Sequence, residues 1–305
     1  MRTKEIVVLL MLLLLAPGAV AQRDLLGILE AEQKEVPQYT LSTFKATRIA
    51  IGHSLETRKK GILEIMLNNR YCNTPTTYVQ SLGPEKVNTR IALEYGIGDR
   101  LSAGVGGSTW NGLFDGYLKY RLIRQRSDSA GAPVSVTVFQ GGSYFSESLG
   151  PYVESDFSNR MSYTTQLLIA RKFGTNFSFQ LSPTYVHKGL GYSPDDHKGH
   201  FALGLGARYR LGGHVSLVGE YYALLNPVES YGTYGPLAFG VNWDVGNLML
   251  QFTVTNATHF ADDAFITGTD YNFNLGNTSV NFGLSATYSL HLKKNLKGLE
   301  QRSRD

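Results

Sequence analysis

The chain has a single cysteine, Cys72, among 305 residues. One thiol makes no internal disulfide, so the fold holds without covalent cross-links, and Cys72 reads as an inert thiol at a strand end. Charged side chains are scarce at 18%, and prolines number 10. After the first twenty residues no run approaches eighteen apolar positions, so the sequence predicts no transmembrane helix. That absence does not bear on a transmembrane β-barrel, where half of each strand faces the lumen and hydropathy stays weak. No histidine, cysteine or carboxylate spacing matches an established metal site, and no cofactor motif is present.

Glycine, tyrosine and phenylalanine are abundant instead, at 33, 18 and 15 residues. They fall in a pattern clearest from Phe177 to Leu224. Phe177, Phe179, Leu181, Pro183 and Tyr185 alternate with Ser178, Gln180, Ser182 and Thr184. Phe201, Leu203, Leu205, Ala207, Tyr209 and Leu211 alternate with Ala202, Gly204, Gly206, Arg208 and Arg210. Val215, Leu217 and Tyr221 stand against Ser216, Glu220 and Tyr222. Period two is the strand period, because successive side chains point to opposite faces.

The rhythm starts at Gly61, where Leu63, Ile65, Leu67 and Tyr71 alternate with Glu64, Met66, Asn68 and Arg70. Val87 to Tyr95 follows, then strands near 101–107, 116–124, 133–142, 160–172, 177–187, 200–211, 214–224, 236–244, 247–255 and 279–292. The sequence thus predicts an all-β fold of about twelve strands. Connections read as alternately short and long. The long ones are 72–86, 108–115, 142–159, 187–199, 225–235 and 256–278; the short ones are 98–100, 125–132, 174–176, 212–213 and 245–246. Such a meander is the pattern of an antiparallel up-and-down barrel in an outer membrane, with both termini on the short-turn, periplasmic side and the long loops outside.

A soluble sandwich also alternates. Strands of about ten residues, a polar face rich in Gly, Ser, Thr, Asn and Gln, and aromatic residues near strand ends favour the membrane. The charges on the polar face are Glu64, Arg70, Arg90, Glu94, Lys119, Arg121, Arg208, Arg210, Glu220 and Asp244. Facing lipid would be costly, so they are expected to point into the lumen and pair, Glu220 with Arg208 or Arg210. The long-loop side is acidic and the short-turn side basic, with no basic, aromatic-studded face of the kind nucleic acid requires.

The N-terminus reads as a signal peptide over residues 1–21: Arg2 and Lys4, an apolar core from Val7 to Ala16, and Ala19-Val20-Ala21 as the cleavage site. No cysteine follows to carry a lipid anchor. Residues 22–60 form a leader, with a short helix over Asp24–Gln33 and an extended stretch from Thr43 that turns at Gly52-His53-Ser54. Residues 61–292 form the barrel and 293–305 a basic periplasmic tail. Twelve strands close the wall without Thr43 to Glu56. That segment, with Lys45, Arg48, Gly52, His53 and Ser54, would either plug the lumen, Lys45 and Arg48 meeting Glu64 and Glu94, or stay in the periplasm.

Two loop clusters contain metal-ligand residue types: Asp195, Asp196, His197 and His200, and His259, Asp262 and Asp263. Without fixed spacing both read as solvated loops. His53 and Ser54 beside Glu56 are adjacent in sequence, which does not aim a base at a nucleophile. The chain is therefore read as a non-enzyme in outer-membrane lipid, passing a small solute narrowly or serving a structural or partner role. The alternatives are a barrel enzyme acting on lipids and a soluble exported ligand-binding β protein.

Thr43-Phe44-Lys45-Ala46-Thr47-Arg48-Ile49 with Gly52-His53-Ser54 resembles the F-K-x-T-R-I…G-H-S motif of a family of Gram-negative outer-membrane β-barrel proteins, a domain of unknown function. The likeness resumes at Leu93-Glu94-Tyr95-Gly96, Tyr117-Leu118-Lys119-Tyr120, Gln251-Phe252…Thr255-Asn256 and Phe265-Ile266-Thr267-Gly268-Thr269. The chain departs from it at Ile51, where the family usually has Asn, at Val245-Gly246-Asn247, where a Gly-Gly-His turn stands, and in the last strand, Thr287-Tyr288-Ser289-Leu290. The resemblance implies location and fold and supplies no activity.

Overall fold

The structure is a computed structural model that describes residues 38–72, 86–128, 131–147, 156–191, 196–227, 232–275 and 279–292. The signal peptide, the Asp24–Gln33 helix, the basic tail and Asp195 lie outside these residues. Among them, twelve strands form one closed antiparallel barrel: β1 Ile62–Cys72, β2 Lys86–Gly96, β3 Leu101–Ser108, β4 Leu113–Ile123, β5 Ser135–Phe145, β6 Met161–Phe173, β7 Phe177–His187, β8 Gly199–Arg210, β9 Val215–Leu224, β10 Leu237–Val245, β11 Leu248–Thr255 and β12 Asn281–His291. Each strand pairs with its sequence neighbours. β1 closes the ring against β12 from Ile62 opposite His291 to Tyr71 opposite Phe282. No helix among the described residues is long and apolar enough to cross a membrane.

The alternation sets which way each side chain points. Ile65, Leu67, Ile91, Leu93, Tyr95, Phe201, Leu217 and Phe252 are all exposed on the outer face. Glu64, Arg90, Glu94, Lys119, Gln180 and Glu220 are buried on the inner one. An apolar exterior around a polar interior inverts the soluble sandwich, in which the apolar face turns inward.

The strict long-and-short alternation of connections does not hold. The link expected to be long between β3 and β4 spans only residues 109–112, because Asn111 at φ 59° and Gly112 at φ 51° turn the chain within one 3₁₀ turn, Trp110–Gly112. The link expected to be short between β4 and β5 runs over residues 124–134. It has a partner: the Thr40 amide donates to the Gln125 carbonyl (3.0 Å), Tyr39 pairs with Arg126, and the Arg124 guanidinium lies 4.8 Å from the Tyr39 ring centroid. This connection receives the incoming chain, which accounts for its length.

The core lies inside the barrel. Phe44, Ile49, Ile51 and Leu55 from the segment before β1 pack with wall residues Tyr117, Phe139, Leu168 and Tyr222, and with Phe265 and Ile266 from the β11–β12 connection. That connection was expected to be an exposed loop. It folds inward instead, and its helix α2, Asp262–Thr267, is buried at every position. The other helix, α1, is the single turn Phe157–Arg160 before β6.

The segment before β1 fits tightly at Gly96. A Cβ there would stand 2.1 Å from the Lys59 carbonyl oxygen. A Gly96→Val chain is expected to lose about 1–3 kcal/mol, since the obstacle is backbone. The check is the temperature at which the folded band shifts on heat-modifiability gels; an unchanged midpoint would mean that residues 58–60 move aside freely.

Candidate functional site: the sealed lumen

Residues 47–54 form a narrow hairpin. Ile49 donates its amide to the Gly52 carbonyl and Ser54 to that of Thr47, both at 3.0 Å, and Arg48 pairs with His53. Inside a barrel the remaining amides and carbonyls of such a hairpin meet no strand partner and must be satisfied by side chains. The inner wall supplies them. The Glu220 carboxylate accepts from the amides of Ala50, Ile51 and Gly52 at 3.1, 2.8 and 2.9 Å. Gln180 accepts from the Leu55 amide and donates to the His53 carbonyl, both at 2.8 Å. Thr137 donates to the Leu55 carbonyl (2.8 Å), Lys119 to that of Thr47 (2.9 Å) and Gln251 to that of Ile49 (2.5 Å). The hairpin is thus held from β4, β5, β7, β9 and β11.

Gly52 is required at the tip. A Cβ would meet the Tyr222 hydroxyl at 2.1 Å and the Glu220 carboxylate at 2.6 Å. The Tyr222 hydroxyl itself donates to Glu220 at 3.1 Å.

The ion pairs differ from those expected. Glu220 does not pair with Arg208 or Arg210: Arg208 donates to the Ser216 hydroxyl and the Thr43 carbonyl (3.2 and 3.4 Å), and Arg210 to the Gly212 carbonyl (2.8 Å). Lys45 pairs with Asp244 rather than with a wall glutamate. Glu64 takes Arg58 at 2.9 Å and Glu94 takes Lys119 at 3.7 Å. Arg121 reaches Glu56 at 2.8 Å, Arg90 holds Asp115, and Arg70 donates to the His259 carbonyl. Of the charges that parity turns inward, Glu64, Arg70, Arg90, Glu94, Lys119, Arg208 and Glu220 are buried, whereas Arg210 is exposed at the β8–β9 turn. Parity could not give partners that sit on a segment threaded through the lumen.

The hairpin and the β11–β12 connection meet mid-lumen. Arg48 donates to the carbonyls of Ile51 (2.7 Å) and Phe260 (3.4 Å), and its guanidinium lies 3.9 Å from the Asp262 carboxylate. The fully buried His53 ring lies 4.4 Å from the centroids of both Tyr117 and Phe139, with Nε2 3.4 Å from Asp262. Both its ring nitrogens are buried without a hydrogen bond. Gln166 donates to Asp262 at 3.3 Å, and Asn88 and Asn281 each hold a carbonyl of the connection, those of Thr258 and Ala257, at 2.9 Å. Cavities at this junction measure about 10 Å³, no more than one water each. Larger ones lie at either end: about 230 Å³ at the short-turn mouth, beside Lys45, Glu56 and Asp244, and about 480 Å³ at the long-loop mouth, beside Trp110, Lys188 and Asp263.

Burial and the neighbouring Arg48, Lys119 and Arg90 hold the His53 pKa well below that of a free imidazole. Burial also raises the Asp262 carboxyl and lowers His259 to about 4. Ser54 does not serve His53 as a nucleophile, because its hydroxyl donates to the Ala46 carbonyl at 2.6 Å. Among the described residues no three His, Cys, Asp or Glu side chains converge, and Asp195 of the first loop cluster lies outside those residues. His197 contacts the Asn226 carbonyl at 3.1 Å and packs with tilted rings, centroids 4.9 Å apart, on His200, which is buried.

A closed barrel with an apolar exterior and a filled polar interior is a membrane barrel by construction. The chain belongs to the family described as membrane bound beta barrel domain (DUF5777), whose profile matches residues 44–290 and so includes the hairpin as well as the wall. This excludes the soluble alternative. No curated protein matches the chain significantly. Among solved structures it is similar to the NanC porin (11% identity, TM-score 0.48, 75% of this chain and 100% of that one) and to the KdgM porin (11%, 0.45, 75% and 99%). It is also similar to outer membrane phospholipase A from Escherichia coli (14%, 0.43, 78% and 93%). At these identities the likeness is one of fold.

Replacing Glu220 by Leu strips three amides of their acceptor and is expected to cost on the order of 3 kcal/mol or more, with Gln milder because one oxygen remains. Hydrogen exchange should quicken at residues 50–52 and stay slow in β9. Equal protection of the tip in wild type and Glu220→Leu would show that Glu220 does not hold it.

The junction should weaken in acid. A histidine whose folded pKa lies below its unfolded value near 6.5 binds fewer protons folded than unfolded, so its contribution is complete above that value and falls as pH drops, by up to about 1.4 kcal/mol per pH unit. The protection of amides 47–54, taken relative to the pH-dependent intrinsic exchange rate, should therefore fall between about pH 7 and pH 5. His53→Gln should shrink that fall without abolishing it, because His259 acts in the same direction. A slope that His53→Gln leaves unchanged would remove His53 from the seal.

Proposed function

We propose that the protein is an outer-membrane barrel in which residues 43–57 plug the lumen from the periplasmic mouth and the β11–β12 connection caps them from outside, so that small solutes pass only when the plug yields. The observation that carries this reading is the pair of cavities among the described residues, one at each mouth, with two cavities of about 10 Å³, room for one water each, at the junction between them. Residues 1–21 act as an export signal cleaved after Ala21, residues 22–42 as the periplasmic leader of the plug, and residues 293–305 as a periplasmic tail. Lys45 with Asp244 and Arg121 with Glu56 fasten the plug at the rim, and Glu220 fastens its tip.

A second reading has an observation of its own. The apolar cluster joining Phe44, Ile49, Ile51 and Leu55 to Phe265 and Ile266 resembles a permanent core, which suits a structural or partner role. Planar-bilayer conductance separates the two. Full-length protein is expected to be nearly silent, and deletion of Gln22 to Glu56 to give a stable conductance. A correctly inserted deletion protein as silent as the full chain would reject the plug and leave the structural role. A cysteine placed at Leu275, exposed in the β11–β12 connection, should be reachable by small thiol labels from outside the cell and one at His214 from the periplasm; the reverse labelling would invert the topology.

A further inference from the structure

The cavity of about 480 Å³ at the long-loop mouth has the size of a small-molecule site. Three aromatic side chains, Trp110, Phe145 and Tyr271, line it. Lys86, Arg160 and Lys188 bring positive charge, against Asp263 and Asp270. His259, also in the lining, is neutral above about pH 4, so among the described lining residues three cations stand against two carboxylates.

The placement is specific. The Lys86 ammonium sits 5.4 Å from the Trp110 ring centroid, and the His259 ring meets Trp110 edge-on at 5.8 Å. Nδ1 of His259 is buried and makes no hydrogen bond. Arg160 is braced by the carbonyls of Phe145 and Glu147, at 2.9 and 2.7 Å, which fixes its guanidinium at the wall. Lys188 and Asp263 stand 3.6 Å apart, within ion-pair range but long for a charged hydrogen bond. An indole face offers stacking to a flat ring, and fixed cations beside it offer charged hydrogen bonds to an acid group.

We propose that this cavity is a binding site for small ring-shaped organic anions, the ring lying against Trp110 and the acid group among Lys86, Arg160 and Lys188. The site names the solute class for the proposed passage, and rests on that reading for its role but not for binding. Its floor belongs to α2. Asp263 and Ala264 line the cavity, while the preceding Asp262 turns toward Arg48 and His53. A bound solute would therefore touch the same helix turn that meets the plug.

The test uses the full mature chain in detergent micelles at about 0.15 M salt, which screens diffuse charge attraction. Trp243→Phe leaves Trp110 as the sole indole, since the chain has two tryptophans. Benzoate, benzyl alcohol and benzylamine carry one ring and three charges. Benzoate is expected to change Trp110 emission saturably, with affinity about tenfold above that of benzyl alcohol, while benzylamine fails to saturate. Lys86→Gln, at an exposed position, and Lys188→Gln should each weaken benzoate several-fold with heat-modifiability unchanged. Equal responses to the three probes would overturn the site, as would benzoate binding that neither substitution alters. Because fluorescence reads binding without transport, a saturable benzoate response in a protein silent even after plug deletion upholds the site and rejects only the passage.

Discussion

Everything inside this barrel follows from one requirement: a hairpin placed in a closed lumen must find hydrogen-bond partners on the wall. A barrel uses its own backbone groups in its ladders, so only inward side chains remain. The inner face carries them where the hairpin needs them, with Glu220 at the tip, Lys119, Thr137 and Gln180 from β4, β5 and β7, and Gln251 from β11. The cluster at the tip is the most demanding of these. One carboxylate oxygen serves three consecutive amides, an arrangement that needs a turn with all three N–H groups on one side and no side chain at Gly52. The Gly-His-Ser turn therefore belongs to the fastening of the lumen.

The buried charges extend the same logic. Stripping a charge of water is costly, and a buried pair repays that cost only when both members stay paired. Arg48 and Asp262 arrive from opposite mouths, on chain segments more than two hundred positions apart. Withdrawing the hairpin leaves Asp262 beside His53's vacated pocket, and moving the cap leaves Arg48 with only the Ile51 carbonyl. Each insert raises the cost of moving the other, so hairpin and cap act as one seal.

Much of the wall was legible in the sequence because period two is a strong signal when both faces are chemically distinct. Outward Ile91, Leu93 and Tyr95 against inward Arg90, Ala92 and Glu94 leave one register open to β2. Connections were less legible. Ser108 to Asp115 looked like a loop because Thr109, Asn111 and Gly112 are turn formers, yet those residues make a single tight turn. The β11–β12 connection looked like a surface loop because of its acids. Its apolar positions Ala261, Ala264, Phe265 and Ile266 pack into two separate buried clusters, but in the sequence their signal is outweighed by Asp262 and Asp263 beside them. The lumenal pairs were legible only as directions: parity turns Glu64, Glu94 and Glu220 inward, where they lie buried, but their partners depended on where the hairpin threads.

The apolar side chains on the hairpin decide how such a seal behaves at rest. Phe44, Ile49, Ile51 and Leu55 are nearly fully buried, and exposing a side chain of this kind costs about 1.5–3 kcal/mol. Together the four set a cost of about 6–12 kcal/mol for spontaneous withdrawal into water. At the lower end, the withdrawn state would hold on the order of one molecule in ten thousand. The wall left behind imposes less, because Glu220, Gln180, Thr137, Ser178 and Gln251 would then face water that can hydrogen-bond to them. The asymmetry puts the barrier on the hairpin rather than on the pore. On these figures spontaneous withdrawal of residues 44–55 is rare, and an agent that covered their apolar face would lower its cost. The rim pair of Lys45 with Asp244, partly exposed and screened by salt, is where such an agent meets the least resistance, whereas Arg121 with Glu56 is more deeply buried.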